Sequence, residues 1–252
     1  AAAIPGVDGA GTISALGRGV TGFRVGEPVL LWSKGRGTYA QYVAVPATAV
    51  VPKPDGLSAA EAAGLPHAGL AAWNMLVDQA KARSGQTVLV LGGAGGVGSA
   101  ALQIAVAIGA HVTATTSGPN ADYLRSLGAA TVIDYTTQHF EDQLRNVDIA
   151  IDTVDLDNAY RALTTVRRGG VLVSSVGVPE PAACQAREVT CLRRTVGGTP
   201  VATILKQLTD WTLAHRFRVN VDRSFELAQV AAAWQYSQSG RVRGKLVIRI
   251  GD

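Results

Sequence analysis

The chain has 252 residues, 47% of them hydrophobic and 17% charged, with a formal net charge of +4. With no low-complexity tract, that composition sustains a well-buried core and one or two domains. No apolar run reaches the roughly 20 residues that cross a bilayer, and the front lacks the charged and apolar segments of a secretory signal, so the reading has no membrane partner.

Residues 1–54 read as short strands, "GTISALG", "PVLLWS", "TYAQYVAVP" and "AVVPKP", separated by turn signals such as "GRG" at 35–37. They suggest part of a β-barrel or sandwich. "SAAE" at 58–61 is a capping box and opens a helical region, with a second helical pattern in "AAWNMLVDQAKA". From residue 87 strands and helices alternate. Strands are predicted at 87–91, 111–115, 131–134, 148–152 and 170–175, and helices at 97–108, 120–127, 138–144 and 157–166. This rhythm predicts a parallel sheet covered on both faces, and "EVTCLRRT" at 188–195 offers a sixth strand. A helix capped at Thr199 with Pro200 in its first position follows, then a strand near 219–223, a helix at 225–238 and a last strand, "KLVIRI".

Cys184 and Cys191 are too few for a disulfide framework and match no zinc spacing, so they are read as buried thiols in a reducing, cytoplasmic compartment. The late arginines are scattered as pairs at element ends. Without stacking aromatics among them they argue against a nucleic-acid surface. Met75 is the sole methionine, so the sequence does not begin at a translation start unless an initiator was removed.

The chemistry concentrates in "TVLVLGGAGGVGSAALQIAVAIG", residues 87–109. Gly93, Gly95 and Gly98 meet the G-x-G-x-x-G spacing between a strand and a helix, inside a βαβ unit of about 30 residues. Gly93 permits the turn, Gly95 lets backbone approach a diphosphate, and Gly98 lets the helix pack on the sheet. Gly96 and Val97 present free N–H groups at the positive end of the helix dipole. No lysine closes the loop, which disfavours ATP. At the end of the second strand, where an acid would accept from the ribose 2′-hydroxyl of NAD, the chain has Thr115, Thr116 and Ser117. Small hydroxyl residues leave room for a 2′-phosphate, and the predicted cofactor is NADPH.

"IPGVDGAG", "LSAAEAAGLPHAGLAAWNML", "VLVLGGAGGVGSAALQIAVAIGAHV", "ADYLRSLGAATVIDY" and "GRVRGKLVIRI" occur in the order found in the zinc-independent quinone oxidoreductase branch of the medium-chain dehydrogenase/reductases, which the chain resembles along nearly its whole length. The resemblance implies a Rossmann domain, a doubly wound parallel sheet, over 67–214. It would be inserted in a partial GroES-like β-barrel substrate domain built from 1–66 and 215–252. It further implies a homodimer through the sixth sheet strand and reduction of a quinone or an enone by NADPH. Polyketide-type enoyl-thioester reduction and a non-catalytic NADPH-binding role stand as alternatives, with RNA binding a remote third.

The departures are informative. Gly6-Val7-Asp8 stands where zinc-dependent relatives carry Gly-His-Glu, and His67, His111, His139 and His215 have no ligand spacing, so no metal site is expected. Asn120 occupies a position where NADPH-using relatives place a lysine, and Ala71 one where a threonine is common. Tyr135 matches a tyrosine lining the 2′-phosphate pocket, and Val176 and Gly177 match the loop that meets the nicotinamide. Lys245, from the basic tail, completes the candidate set by facing the anionic cofactor. No residue is assigned as proton donor, Tyr39 and Tyr42 being read as structural. Family members carry further strands ahead of "PGVDGAG", so either the front is missing here or a natural short form exists.

Overall fold

The computed structural model describes residues 4–35 and 37–251, so the central residue of the "GRG" turn, Arg36, lies outside the described residues. The chain divides into two compact units, one formed by residues 1–70 and 199–252 and the other by 71–198. The division at 198/199 falls ahead of the long helix that follows, where the sequence reading placed it after residue 214.

In the unit formed by the chain ends, β1 (Asp8–Thr12), β2 (Pro28–Trp32) and β3 (Val50–Pro52) make an antiparallel sheet in that order. Val29, Leu31 and Val50 form its core, with Val43 and Val45 packed against them. The predicted strand over "TYAQYVAVP" is corrected here. Its alternation reflects Val43 and Val45 facing that core, but the segment forms no ladder among the described residues. Helices α1 (Ala59–Gly64) and α2 (Pro66–Trp73) come next. Ser58 and Glu61 make the reciprocal capping box expected of them, with Glu61 N–H on Ser58 Oγ at 3.2 Å and Ser58 N–H on Glu61 Oε2 at 3.0 Å.

A π-helical turn, Asn74–Gln79, continues α2 and belongs to the second unit. The sheet of that unit is built from β4 (Thr87–Leu91), β5 (His111–Thr116), β6 (Thr131–Asp134), β7 (Val147–Asp152), β8 (Val166–Ser174) and β9 (Thr190–Arg193). Its helices are α3 (Gly96–Ile108), α4 (Ala121–Ser126), α5 (Phe140–Gln143), α6 (Leu156–Leu163) and α7 (Pro181–Ala186). All pairings are parallel, in the order β6-β5-β4-β7-β8-β9. This is the doubly wound arrangement of two βαβαβ halves, with the direction of winding reversing between β4 and β7. Every residue of β4 from Val88 to Leu91 is buried, as a central strand covered on both faces requires. Leu89 and Leu91 join Phe140, Ala159, Ala162 and Leu163 in one core layer. The remaining elements, α8 (Val201–Leu213), β10 (Val221–Glu226), α9 (Val230–Gln238) and β11 (Lys245–Arg249), belong to the first unit, where β10 and β11 pair in parallel. Val201 is the first residue of α8 and Pro200 its cap, one position later than the sequence reading set it.

Cys184 of α7 and Cys191 of β9 form a disulfide, with Cα atoms 6.1 Å apart, which corrects the expectation of free thiols. The turn between α7 and β9 folds back on itself, Val189 N–H bonding Cys184 carbonyl at 3.0 Å, and so brings the sulfurs within bonding reach. The inference of a reducing compartment rested on free thiols and goes with them. Reduction by a dithiol is expected to cost about 2 kcal/mol, since so short a loop limits the entropy removed from the unfolded chain. Equal melting temperatures with and without dithiothreitol would show that the bond carries no stabilisation. No helix among the described residues is long and apolar enough to cross a membrane.

Candidate functional site

The C-terminal ends of β4, β5, β7 and β8 lie along one edge of the parallel sheet, on either side of the point between β4 and β7 where the winding reverses, which is where open sheets of this kind bind ligands. The loop from β4 to α3 is shaped by what its glycines touch. Gly92 has φ +73°, and a Cβ there would lie 2.8 Å from both Thr153 Oγ1 and Val154 Cγ2. A Cβ on Gly93 would lie 2.8 Å from Leu124 Cδ2, and one on Gly98 would overlap the Gly92 carbonyl oxygen. Gly95 differs. Its φ of −74° suits any residue, and the nearest atom to an added Cβ is the Gly92 oxygen at 3.5 Å, so no protein neighbour demands glycine there. That is the position where a diphosphate would need bare backbone.

Helix α3 begins with the Ser99 N–H on the Gly95 carbonyl at 2.9 Å, leaving the N–H groups of Gly96, Val97 and Gly98 ahead of its first helical bond. Gly95 has no side chain to cap them, and no acid stands in the first turn. The loop is therefore a cradle with three donors at the positive end of a 13-residue helix, and it fits a dinucleotide diphosphate.

At the end of β5, Thr115 anchors this loop: its Oγ1 accepts from Gly92 N–H at 3.2 Å and its carbonyl from Gly93 N–H at 2.9 Å. The structure brings Thr116, Ser117, Asn120 and Tyr135 together. Tyr135 N–H bonds the Thr116 carbonyl at 3.1 Å, Asn120 N–H bonds the Ser117 carbonyl at 2.9 Å, and Asn120 Nδ2 reaches Ser117 Oγ at 3.4 Å. Thr116 is buried, whereas Ser117 and Asn120 are half-buried and Tyr135 is exposed. Asp134, at the end of β6, was not singled out from the sequence. Thr136 donates to it from Oγ1 at 2.7 Å and from N–H at 2.9 Å, and these bonds, with that from the Gly118 amide, hold its carboxyl below the usual range. It props the turn that carries Ser117 and Asn120.

At the ends of β7 and β8, Asp152 and Ser174 are both fully buried. Ser174 Oγ donates to Asp152 Oδ2 at 2.7 Å, and Val154 N–H donates to Oδ1 at 3.0 Å. Burial pushes the Asp152 carboxyl up, against these two donors that favour its charge. Val176 and Gly177 follow directly, their N–H groups each 3.2 Å from Ser174 Oγ. Sequence reasoning passed over Asp152 and Ser174. The available signal was a polar residue directly after an apolar run in each strand, Ile149–Ile151 before Asp152 and Val171–Val173 before Ser174.

Lys245 lies in the other compact unit, where its Nζ is 3.3 Å from Asp8 Oδ2. Asp8 also accepts from the His67 N–H at 2.8 Å, and burial pushes its carboxyl up to about 6 even so. In that unit Tyr39 packs on Gly6 and Tyr42 is exposed. Among the described residues no group of three or more His, Cys, Asp or Glu side chains is placed to hold a metal ion.

Comparison with known proteins places these features among dehydrogenases and reductases. The family descriptions that match are "Alcohol dehydrogenase GroES-like domain" over residues 1–55, "Alanine dehydrogenase/PNT, C-terminal domain" over 71–176 and "Zinc-binding dehydrogenase" over 127–248. The chain is 35% identical to the 2-methylene-furan-3-one reductase of Solanum lycopersicum, the match covering 97% of this chain and 63% of that protein. It is 31% identical to the mitochondrial NAD(P)H oxidoreductase RTN4IP1 of Danio rerio, over 98% of this chain and 72% of that one. Its backbone superposes on the quinone oxidoreductase of Coxiella burnetii with a TM-score of 0.90 at 28% identity, covering 98% of this chain and 79% of the other.

Proposed function

Because the chain belongs to the medium-chain dehydrogenase/reductase superfamily, among its quinone oxidoreductases and enone reductases, we propose that it binds NADPH and reduces a quinone or an enone without a metal ion. When bound, the cofactor supplies the hydride. The chain supplies binding and orientation. The loop donors of Gly96, Val97 and Gly98 hold the diphosphate against Gly95. Ser117, Asn120 and Tyr135 surround the adenosine ribose, and Val176 and Gly177 back the nicotinamide.

The observation that carries the choice of NADPH is the end of β5. Ser117 and Asn120 stand there without an acid, and Asp134 on the next strand spends its carboxylate on Thr136 and the Gly118 amide. A 2′-phosphate meets hydroxyl and amide groups there in place of a carboxylate aimed at the ribose. The tomato relative, whose named substrate is an exocyclic enone, supports the substrate class. The absence of histidine from Gly6-Val7-Asp8 supports chemistry without zinc. Lys245, held by Asp8, is assigned to that ion pair and not to the cofactor. The edge strand β9 is the surface through which we expect two copies to pair.

The test is a fluorescence titration with NADPH and NADH side by side, followed by cofactor oxidation with a quinone, an enone and an enoyl thioester, each with and without a chelator. Binding of NADPH at least about tenfold tighter than NADH is expected, a difference of about 1.4 kcal/mol. Turnover of the quinone or enone, unaffected by chelator, is expected with it. A preference for NADH overturns the cofactor assignment. Turnover of the thioester alone moves the substrate to the enoyl class.

A further inference from the structure

We propose that Asp152 is a positioning residue for the nicotinamide end of the cofactor, acting through the Ser174 hydroxyl on the peptide groups that follow it; the inference rests on the dinucleotide reading above. Two polar side chains, each 0% exposed, sit side by side at the ends of adjacent strands, where an apolar pair would pack at no desolvation cost. What they gain is direction. Asp152 takes the Ser174 proton at 2.7 Å on one oxygen and the Val154 N–H at 3.0 Å on the other. With its only proton committed to the carboxylate, Ser174 Oγ is left with acceptor capacity alone. It uses that capacity on the N–H groups of Val176 and Gly177, both at 3.2 Å. The Ser175 N–H, bonded to the Asp152 carbonyl at 3.0 Å, fixes the start of the same loop.

The consequence follows from peptide planarity. No cis peptide bond occurs among the described residues, so each carbonyl points opposite to the N–H of the residue after it. With the N–H groups of Val176 and Gly177 turned toward Ser174, the carbonyls of Ser175 and Val176 are turned away from it. Val176 is 45% exposed, so this stretch borders open space at the cofactor edge of the sheet. Two aligned acceptors there suit the amide N–H groups of a carboxamide, which the nicotinamide carries and the adenosine half of the cofactor does not. Asp152 therefore determines which way a pair of backbone acceptors faces, from a position that does not touch the ligand.

Asparagine separates this role from simple space filling. It has the shape of Asp152, but both carboxylate oxygens receive protein donors, so one of those donors must meet an NH2 group in either orientation. The experiment measures binding of NADPH and of 2′-phospho-ADP-ribose, which lacks the nicotinamide, to the wild type, Asp152→Asn and Ser174→Ala, with circular dichroism to verify folding. NADPH binding is expected to weaken about tenfold in both variants, the value of about one hydrogen bond to a properly faced acceptor, while the fragment binds within about twofold of wild type. Equal weakening of both ligands, or of neither, overturns the inference and leaves the dinucleotide reading standing. A wild type that binds neither ligand overturns both. If Asp152→Asn does not fold, Ser174→Ala carries the test alone, because it removes the hydroxyl without leaving a new donor in the core.

Discussion

Gly98→Ala is expected to lower NADPH affinity by about a hundredfold or more and to destabilise the second unit by about 1–3 kcal/mol. The added methyl would overlap the Gly92 carbonyl oxygen, with the Gly92 carbonyl carbon at 2.8 Å and the Gly93 Cα at 3.0 Å. These are backbone atoms and cannot rotate aside as a side-chain tip would. Either α3 withdraws from the sheet, breaking the contact that seats it, or the loop moves and takes the Gly96 and Val97 donors with it. Gly95→Ala is the paired control. Its methyl meets nothing closer than 3.5 Å, so the fold should melt within about a degree of wild type while cofactor binding falls. Calorimetric melts and cofactor titrations on the two variants separate a packing glycine from a ligand glycine. Wild-type affinity in Gly95→Ala would remove the diphosphate from the place we give it.

The second large effect concerns Asp8 and Lys245. Asp8 carries its carboxyl to about 6 from an ordinary 3.8, mainly by burial, with Lys245 and the His67 amide pulling the other way. Between those two values the folded chain binds a proton that the unfolded chain has released. This group's contribution to stability is therefore complete below about 4 and is lost as the pH rises through about 6, amounting to about 3 kcal/mol. Lys245→Met removes the cation and leaves the carboxylate uncompensated, costing about 3 kcal/mol at pH 8. Most of that loss should return at pH 5, where Asp8 takes up its proton. Asp8→Asn should flatten the same portion of the stability curve. Urea midpoints at pH 5 and pH 8 for the three proteins decide it, and a Lys245→Met deficit equal at both pH values would show that the lysine acts through its methylene stem and not its charge.

The parallel sheet was legible because its information is local. Each strand is a short β-branched run, each helix carries its own apolar face, and the glycine loop is set by neighbours in sequence. The residues that brace the loops at the strand ends were not. Asp152 and Ser174 meet only because β7 and β8 lie side by side, and Thr115 matters only because β5 lies beside β4. Pairings of this kind depend on register across a crossover, which no residue spacing states. The disulfide was missed for a different reason: the pair is local, and the fold-back of the turn between α7 and β9, with Val189 N–H on the Cys184 carbonyl, has no signature in the residue types. Val43 and Val45 mislead in the opposite sense, since burial of alternate side chains produces the signature of a strand in a segment that has no ladder. The π-helical turn at Asn74–Gln79 reads as ordinary helix because its apolar spacing differs little from that of an α-helix.

The link between Asp8 and Lys245 spans 237 positions of the chain, and its consequence falls on synthesis. The middle unit is a single continuous stretch, so a ribosome delivers all of it before the tail emerges. The unit made from the two ends cannot close until β11 arrives. At translation speeds of about 5–20 residues per second, residue 8 waits on the order of tens of seconds for its counter-ion. Throughout that interval Asp8 lacks the cation that faces it in the finished fold. The topology sets the order in which the parts are delivered: residues 71–198 are all present before β11 emerges, and the unit that pairs Asp8 with Lys245 is completed afterwards.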